Sequence, residues 1–407
     1  MRAYVIQTNK QISPFQEDVC NMPVAGTTLG QWQKEILEEL KIPIVLVSRA
    51  DEIPADVDRL IFHDNVFFSR RGLRLFLKGW KQSAHGTAQF ALPDKTLFSE
   101  QFSDLQDCRV EHGQRIFNIW VIKKDALIED ATPLEIDYKD RVEELPLPSA
   151  ITGLEKWEHP ITSSVCLHVN HWLHVLQINL LSIQIKWIDT IMTRPIWATW
   201  LAFRSMFGSP KNFRARIAQR ANCIGKNVTI HPSAIVEGCI IGDNVEIGAQ
   251  ALVRGSLISE GVVLQERVNV AFSVIGPKSF VSKHSVVHAC ASFEEADMCM
   301  RGMQFCLVGR KAALTTRATP IDLAPGRKIR VDVDGEYVPI DMPMLGTCFG
   351  HEVFIGADVY TAPGRAIPNQ IKVISDTSKI LAHIPKDIEA GETYVVKNSS
   401  LEPLKKS

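Results

Sequence analysis

Two patterns of apolar positions divide the chain. Up to about residue 130, runs with strand-like and helix-like spacing alternate. Arg2 to Gln7 opens with a short β-rich run. Leu29 to Leu40 (LGQWQKEILEEL) carries apolar residues at helical spacing and predicts an amphipathic helix. Ile42 to Val47 (IPIVLV) is continuously apolar, as in a parallel strand covered on both faces. Leu60 to Phe68 (LIFHDNVFF) predicts a second strand with a polar interruption, and a second helix follows around Leu73 to Trp80. This alternation predicts an α/β domain over residues 1–130. Residues 131–160, rich in Pro, Glu and Asp, are expected to be a linker. Residues 161–222 are expected to be a helical connector, with Trp172, Trp187, Trp197 and Trp200 set among many Leu and Ile.

From Ile224 the spacing changes. Ile224, Ile241, Ile258 and Ile275 are each 17 residues apart. Between them fall Ile230 and Val236, Ile247 and Val253, Leu264 and Val270, then Val281 and Val287, so each coil reads as six, six and five residues. A fixed period of this kind marks stacked coils, none of which can bury its core alone. Three short strands would make one triangular turn, each with its aliphatic residue pointing into a narrow prism. Gly225, Gly242, Gly248 and Gly276 are expected to take turn conformations closed to residues with a Cβ, while Ala234 and Ala251 fill crowded inward positions. The pattern predicts a left-handed parallel β-helix over residues 223–385. It breaks after Val287, at HACASFEEADM, and returns as Phe349, Ile355, Thr361 and Ile367. An inserted loop is therefore expected at about 288–345, and a tail at 386–407.

A chain of 407 residues suits two or three domains. At 45% hydrophobic, 22% charged and a net charge of −1, it has no global field to attract nucleic acid or an anionic membrane. Arg204, Lys211, Arg214, Arg216 and Arg220 form a local basic cluster, either a solvated face or a phosphate or lipid contact. The nine cysteines are scattered without a CxxC pair, which points to reduced thiols in a cytoplasmic protein. The start MRAYVIQTNK has neither a basic nor an apolar region of a signal peptide. The Trp-rich segment is interrupted by polar residues too often to cross a bilayer, which takes about 20 mostly apolar residues. It is expected either to pack between domains or subunits, or to make a peripheral membrane contact through 161–207.

The run IGADV after a hexad, beside an excursion with Asp334 and Gly335, resembles the acetyltransferase half of the bifunctional N-acetylglucosamine-1-phosphate uridyltransferases, of the trimeric hexapeptide-repeat acyltransferase type. NMPVAGTTLGQWQKEILEEL resembles the segment where a substrate-domain strand enters its helix in the sugar nucleotidyltransferases that precede such β-helices. FHDNVFF resembles their Asp-bearing strand. The resemblance implies a reduced nucleotidyltransferase-like α/β domain followed by a left-handed β-helix. It also implies a homotrimer with sites between subunits, acetyl-CoA or another acyl-CoA as co-substrate, and a nucleotide-sugar or sugar phosphate as acceptor.

Departures from that family matter as much. Its active nucleotidyltransferases carry a Gly-rich loop after the first strand, ending in Arg, with a Lys further on. The loop amides cradle phosphate and the cations neutralise the transferred group. Here QTNKQISPFQEDVC has no Gly and no Arg, Lys10 is the only cation, and Glu17 and Asp18 would repel phosphate. Loss of nucleotidyl transfer is expected. Asp64 is a candidate Mg2+ ligand or simply the polar end of a strand.

In the acyl-transfer half the family uses a β-helix His as general base, two residues after an inward aliphatic. His284 comes three residues after Val281, and His288 directly follows Val287; both are candidates. Arg254, Arg267, Lys278 and Lys283, with Asp334 and Gly335, are candidates for holding substrate phosphates; the plain alternative is solubilising coil faces. Met298 to Arg317 sets Arg301, Arg310, Lys311 and Arg317 among Met, Cys and Phe. That stretch suits either a cleft for the pantetheine chain of an acyl donor or a subunit contact. An acyl-CoA-dependent acyltransferase and a non-catalytic scaffold that binds a sugar nucleotide both remain open.

Overall fold

The computed structural model describes residues 1–83, 86–146, 149, 155–207 and 213–404. Its N-terminal part is a mixed sheet: β1 (Arg2–Ile6), β2 (Ile44–Val47), β3 (Arg59–His63), β4 (Thr87–Pro93), β5 (Gln114–Ile122) and β6 (Thr132–Glu135), in the order β6-β4-β5-β3-β1-β2. β1 pairs in parallel with both β2 and β3, while β5 runs antiparallel to β3 and β4. Helices α1 (Leu29–Glu39) and α2 (Arg70–Gln82) lie where apolar spacing predicts them. Each is capped by a hydroxyl that accepts a backbone N–H, Thr28 from Gln31 and Ser69 from Gly72. IPIVLV departs from expectation: β2 pairs with β1 alone at the sheet edge, leaving Leu46 63% exposed. The expected linker is not one either. β6 adds a strand to the sheet, and Arg141–Pro146 pairs with Lys156–Ile161 as a hairpin.

The Trp-rich segment forms α4 (Trp172–Thr193), α5 (Pro195–Met206) and α6 (Phe213–Arg220), after the short α3 (Leu97–Gln101). No helix among the described residues is long and apolar enough to cross a membrane. α4 is apolar nearly all round because it is buried on both sides. Trp172, Leu173, Leu176 and Ile178 join the N-terminal core, and the helix also lies along the first face of the β-helix.

Parallel two- and three-residue strands build a prism of three faces. The first face begins at Cys223–Ile224, the second at Thr229–Ile230, and the third at Ile235–Glu237. Inward residues such as Ile241, Ile258, Ile275, Val253 and Leu264 form one continuous core. On the first face the outward residues are apolar too. Leu257, Val274, Ala291, Leu307 and Cys348 are buried, because α4 and the N-terminal core cover them.

The four glycines expected at turns, Gly225, Gly242, Gly248 and Gly276, serve the prism by close approach instead. A Cβ on Gly242 would sit 2.7 Å from the next coil's backbone, and one on Gly248 would sit 2.8 Å away. Left-handed corners are taken by residues such as Asn244, Gln250, Arg267 and Lys278, and by Gly238, Gly255 and Gly261.

The excursion is shorter than 288–345. Coils continue through Ala291–Ser292, Asp297–Met298, Met303–Gln304, Leu307–Val308, Ala313–Leu314 and Thr319–Pro320. The aliphatic pattern fails there because Ser292, Met298 and Met303 take inward places, and one coil is a residue short: Ala291 pairs with Leu307, 16 positions on. The chain leaves the prism only after Pro320, forms a hairpin (Arg330–Val333 with Glu336–Pro339), and rejoins at Cys348–Phe349. Its last coil strand is Lys372–Val373, and the expected tail contains a further hairpin, Tyr394–Lys397 with Ser400–Pro403.

Replacing Leu307 by Ala should cost about 2–5 kcal/mol, since it empties a sealed contact between α4 and the prism. The same change at the partly exposed, outward Phe354 of the second face should cost less than about 1 kcal/mol. Denaturant midpoints of the two variants check the difference.

Burial holds His168 and His171 at a pKa of about 4 and His174 at about 3, so all three are neutral in the folded chain. The unfolded chain protonates them near the ordinary value of about 6.5 and thus binds more protons below it. Stability is therefore complete above pH ~6.5 and falls toward pH ~4, by roughly 1.4 kcal/mol per pH unit for each histidine. Urea unfolding at neutral and mildly acidic pH checks the slope.

Candidate functional site

Candidate residues divide between two edges of the prism and one of its faces. On the edge between the first and second faces, the segment that stands where a phosphate loop would be docks against the coils. It folds as a small hairpin, Gln11–Ile12 with Glu17–Asp18. Phe15 at its tip is buried between Phe293 and His351, with ring centroids 4.7 and 4.9 Å away. The Asn369 amide donates to the Phe15 carbonyl at 2.8 Å. Arg310 Nη1 donates to Glu17 Oε1 at 2.6 Å, while its Nε binds Glu294. His351 Nδ1 accepts the Arg310 N–H at 2.9 Å, which leaves Nε2 as the protonated nitrogen, 3.3 Å from Glu17 Oε1. Desolvation lowers the His351 pKa although Glu17 opposes it. Glu17 is thus a clasp between domains, and Arg310 is fully engaged.

Beside the clasp lies a cleft of about 630 Å³, lined among others by Lys278, Arg310, Glu17, Asp18, Glu294 and Glu295. Four carboxylates face two cations, so the cleft does not attract phosphate. Lys311, on the same edge, lies 3.9 Å from Glu295.

The second edge, between the second and third faces, carries Arg267, Lys283, His284, Arg301 and Arg317. His284 sits at a corner with φ +66°, exposed, its side chain on neither face. Arg267 donates to Gln250 Oε1 and Arg317 pairs with Asp358, each at 2.8 Å. Lys283 and Arg301 are exposed.

On the third face, Glu237, Arg254, Ala271, His288 and Gln304 stack in register, coil on coil. Arg254 pairs with Glu237 at 2.8 Å. His288 is half-buried, with Nε2 3.4 Å from Asn269 Oδ1. If Nε2 donates there, Nδ1 keeps its lone pair. Burial lowers the His288 pKa, so the ring is neutral near pH 7 and able to accept a proton.

Asp334 and Gly335 are the two-residue turn of the excursion hairpin, both at positive φ (53° and 91°), which the tight turn requires. They join none of these groups. At the carboxyl ends of β1 and β3, Asp64 Oδ1 accepts from the Thr8 N–H (3.1 Å) and hydroxyl (2.6 Å). Asp64 is 7% exposed, and no three His, Cys, Asp or Glu among the described residues are placed to hold a metal. Asp64 fastens the ends of β1 and β3 together. Lys10 pairs with Asp107 at 3.4 Å. Asn269, His351 and Asn369 escaped sequence reasoning, because only the coil register brings them to their partners.

Residues 224–255 match the family model described as bacterial transferase hexapeptide (six repeats). No curated protein matches the chain significantly. The family match falls on the first coils, ahead of the strand that carries His288.

Arg310→Ala should strand Glu17 and Glu294 and free the hairpin tip, at a cost of about 1–2 kcal/mol for a partly exposed pair. Hydrogen exchange over residues 11–18 should speed up while the distant coils keep their protection.

Proposed function

We propose that the chain is a transferase of the acyl-CoA-dependent kind, working on the third face of its β-helix with His288 as general base. The observation that carries this reading is a half-buried imidazole, its pKa lowered by burial, beside Asn269 on the third face. The hexapeptide transferase match supports the transferase class.

In the proposed step, Nδ1 of His288 takes the proton from an acceptor hydroxyl or amine as that atom attacks the thioester carbonyl. The new bond to the acyl carbon forms, the carbon–sulfur bond breaks, and the thiolate leaves with the proton from the imidazolium. The acceptor is a nucleotide-sugar or a related phosphate-bearing molecule, as the family resemblance implies. Exposed Lys283 and Arg301 lie on the edge from which the third face starts, and suit the phosphates of donor or acceptor. Arg310, locked by Glu17 and Glu294, does not serve here. A homotrimer would bring a second copy across this face and exclude water from it. Nucleotidyl transfer is lost in this reading, because Glu17 and Phe15 are committed to the prism.

The Glu17 clasp also favours a second reading, a non-catalytic scaffold that binds a sugar nucleotide. One assay separates the two. With acyl-CoA and a panel of nucleotide-sugars, release of free coenzyme A should be seen. His288→Ala should then lower kcat/KM by roughly 10²–10⁴, with Asn269→Ala milder and His284→Ala within about twofold. Turnover that is absent for every pair, or unchanged in His288→Ala, would sink the catalytic reading.

A further inference from the structure

The helix α5 is apolar on two sides, and the described residues cover only one of them. Trp197, Leu201 and Ser205, at helical spacing, face inward: Trp197 stacks on Trp187 of α4 at 6.4 Å, and Leu201 and Ser205 are buried. Ile196, Trp200, Phe203 and Phe207 make the opposite stripe at intervals of four, three and four residues. Ile196 is 86% exposed, and the other three are each more than half exposed. Met206 and Met192 widen the patch at its two ends. A large exposed apolar patch on a soluble surface marks a contact. The buried stretch from Trp172 to Ile185 takes no part in it, so the surface is much smaller than residues 161–207.

Charge identifies the partner. No Asp or Glu occurs from Thr190 to Val236, a span that includes Arg194, Arg204, Arg216 and Arg220. Lys211 and the side chain of Arg214 lie outside the described residues. Arg194, just before the helix, and Arg204 within it are exposed, and the Arg204 guanidinium lies 5.0 Å from the Trp200 ring centre. Arg71 of α2 reaches Met192 at the patch edge. Asp189, on the preceding helix, is already held: it lies 3.8 Å from Arg70, which also pairs with Glu39. A second copy meeting this patch symmetrically would set arginine against arginine. An anionic bilayer surface offers what the patch lacks, phosphate oxygens for the arginines and an acyl boundary for Trp, Phe and Ile.

We propose that α5 is a membrane-surface helix that docks this protein onto bilayers carrying anionic headgroups. Trp200, Phe203 and Ile196 enter the headgroup boundary, and Arg194 and Arg204 lie level with the phosphates. α6, which follows, packs on the first strand of the third face, so the docked end is the end where the prism begins.

Flotation of the full chain with phosphatidylcholine vesicles, with and without phosphatidylserine, tests this. The chain should float with the phosphatidylserine vesicles, and binding should fall about tenfold or more without that lipid or at high salt. Trp200→Glu with Phe203→Glu should abolish flotation while the melting temperature stays within a few degrees. Should that pair disturb folding, Arg194→Gln with Arg204→Gln should weaken binding by roughly fivefold per charge removed. Absence of flotation with either vesicle, or flotation unchanged by both double variants, overturns the proposal. So does an oligomer that Trp200→Glu with Phe203→Glu dissociates while the parent chain ignores vesicles, since a second copy would then cover the patch.

Discussion

Everything in this molecule depends on the burial of the first face of the prism beneath α4. A coil of two-residue strands has room for one inward side chain per strand, a core too thin to fix its own neighbours. On the first face a second apolar residue per strand points outward, and Leu257, Val274 and Leu307 enter the core that also holds the sheet, α1 and α2. Each side chain sealed in this way contributes roughly 1.5–3 kcal/mol relative to exposure. Burial is joined by directed contacts. Trp187 Nε1 donates to the Gly238 carbonyl, and Asn179 grips the loop at Pro23–Ala25 that leads to Gly26 and the coil at Ser259. The domains are therefore cast together along one face, and the orientation of the other two follows.

That seam was readable in part. Doublets such as Ile240–Ile241, Leu257–Ile258 and Leu307–Val308 recur on the first face, but Val263–Leu264 and Phe280–Val281 on the second face are apolar doublets too. An apolar residue on both sides of a strand suits cover on both sides, but the doublets leave two faces open to α4, and only the fold distinguishes them. The 17-residue register was legible because identical inward places demand identical residue types. Where Met298 and Met303 stand inward the demand is met by volume and not by aliphatic shape, and Ser292 accepts the Gly276 N–H at 2.9 Å, so the pattern fades although the coil does not. The linker at 131–160 misled for the opposite reason. Pro133 and the acids there lie on an edge strand and an exposed hairpin, where solvent tolerates them.

The candidate sites were less legible than the fold, because they depend on which edge of the prism a residue meets. Lys278 and Lys283 are five residues apart, yet one lies on the edge facing the N-terminal hairpin and the other on the open edge. Sequence reasoning identified Arg310 as a cation near a cleft; its partner Glu17 lies 293 positions away and cancels it. Asp334–Gly335 had the composition of a functional loop and the geometry of a hairpin turn. His288 could be named from its place after Val287, but not its partner Asn269, which arrives from the previous coil.

The Glu17 clasp makes one further point about how the chain's two halves constrain each other. A phosphate-binding loop must leave its amides free and its surroundings positive. The segment after β1 does neither, since Phe15 is sealed between two aromatic rings and Glu17 reaches Arg310. Restoring a phosphate loop would remove the carboxylate that compensates Arg310 and expose the Phe293 side of the prism. The first face and its edge are in this way committed to holding the domains together. The third face carries His288, whose pKa burial lowers, and the helix that packs on this face meets its first strand, so the proposed chemistry is assigned to the coils beyond.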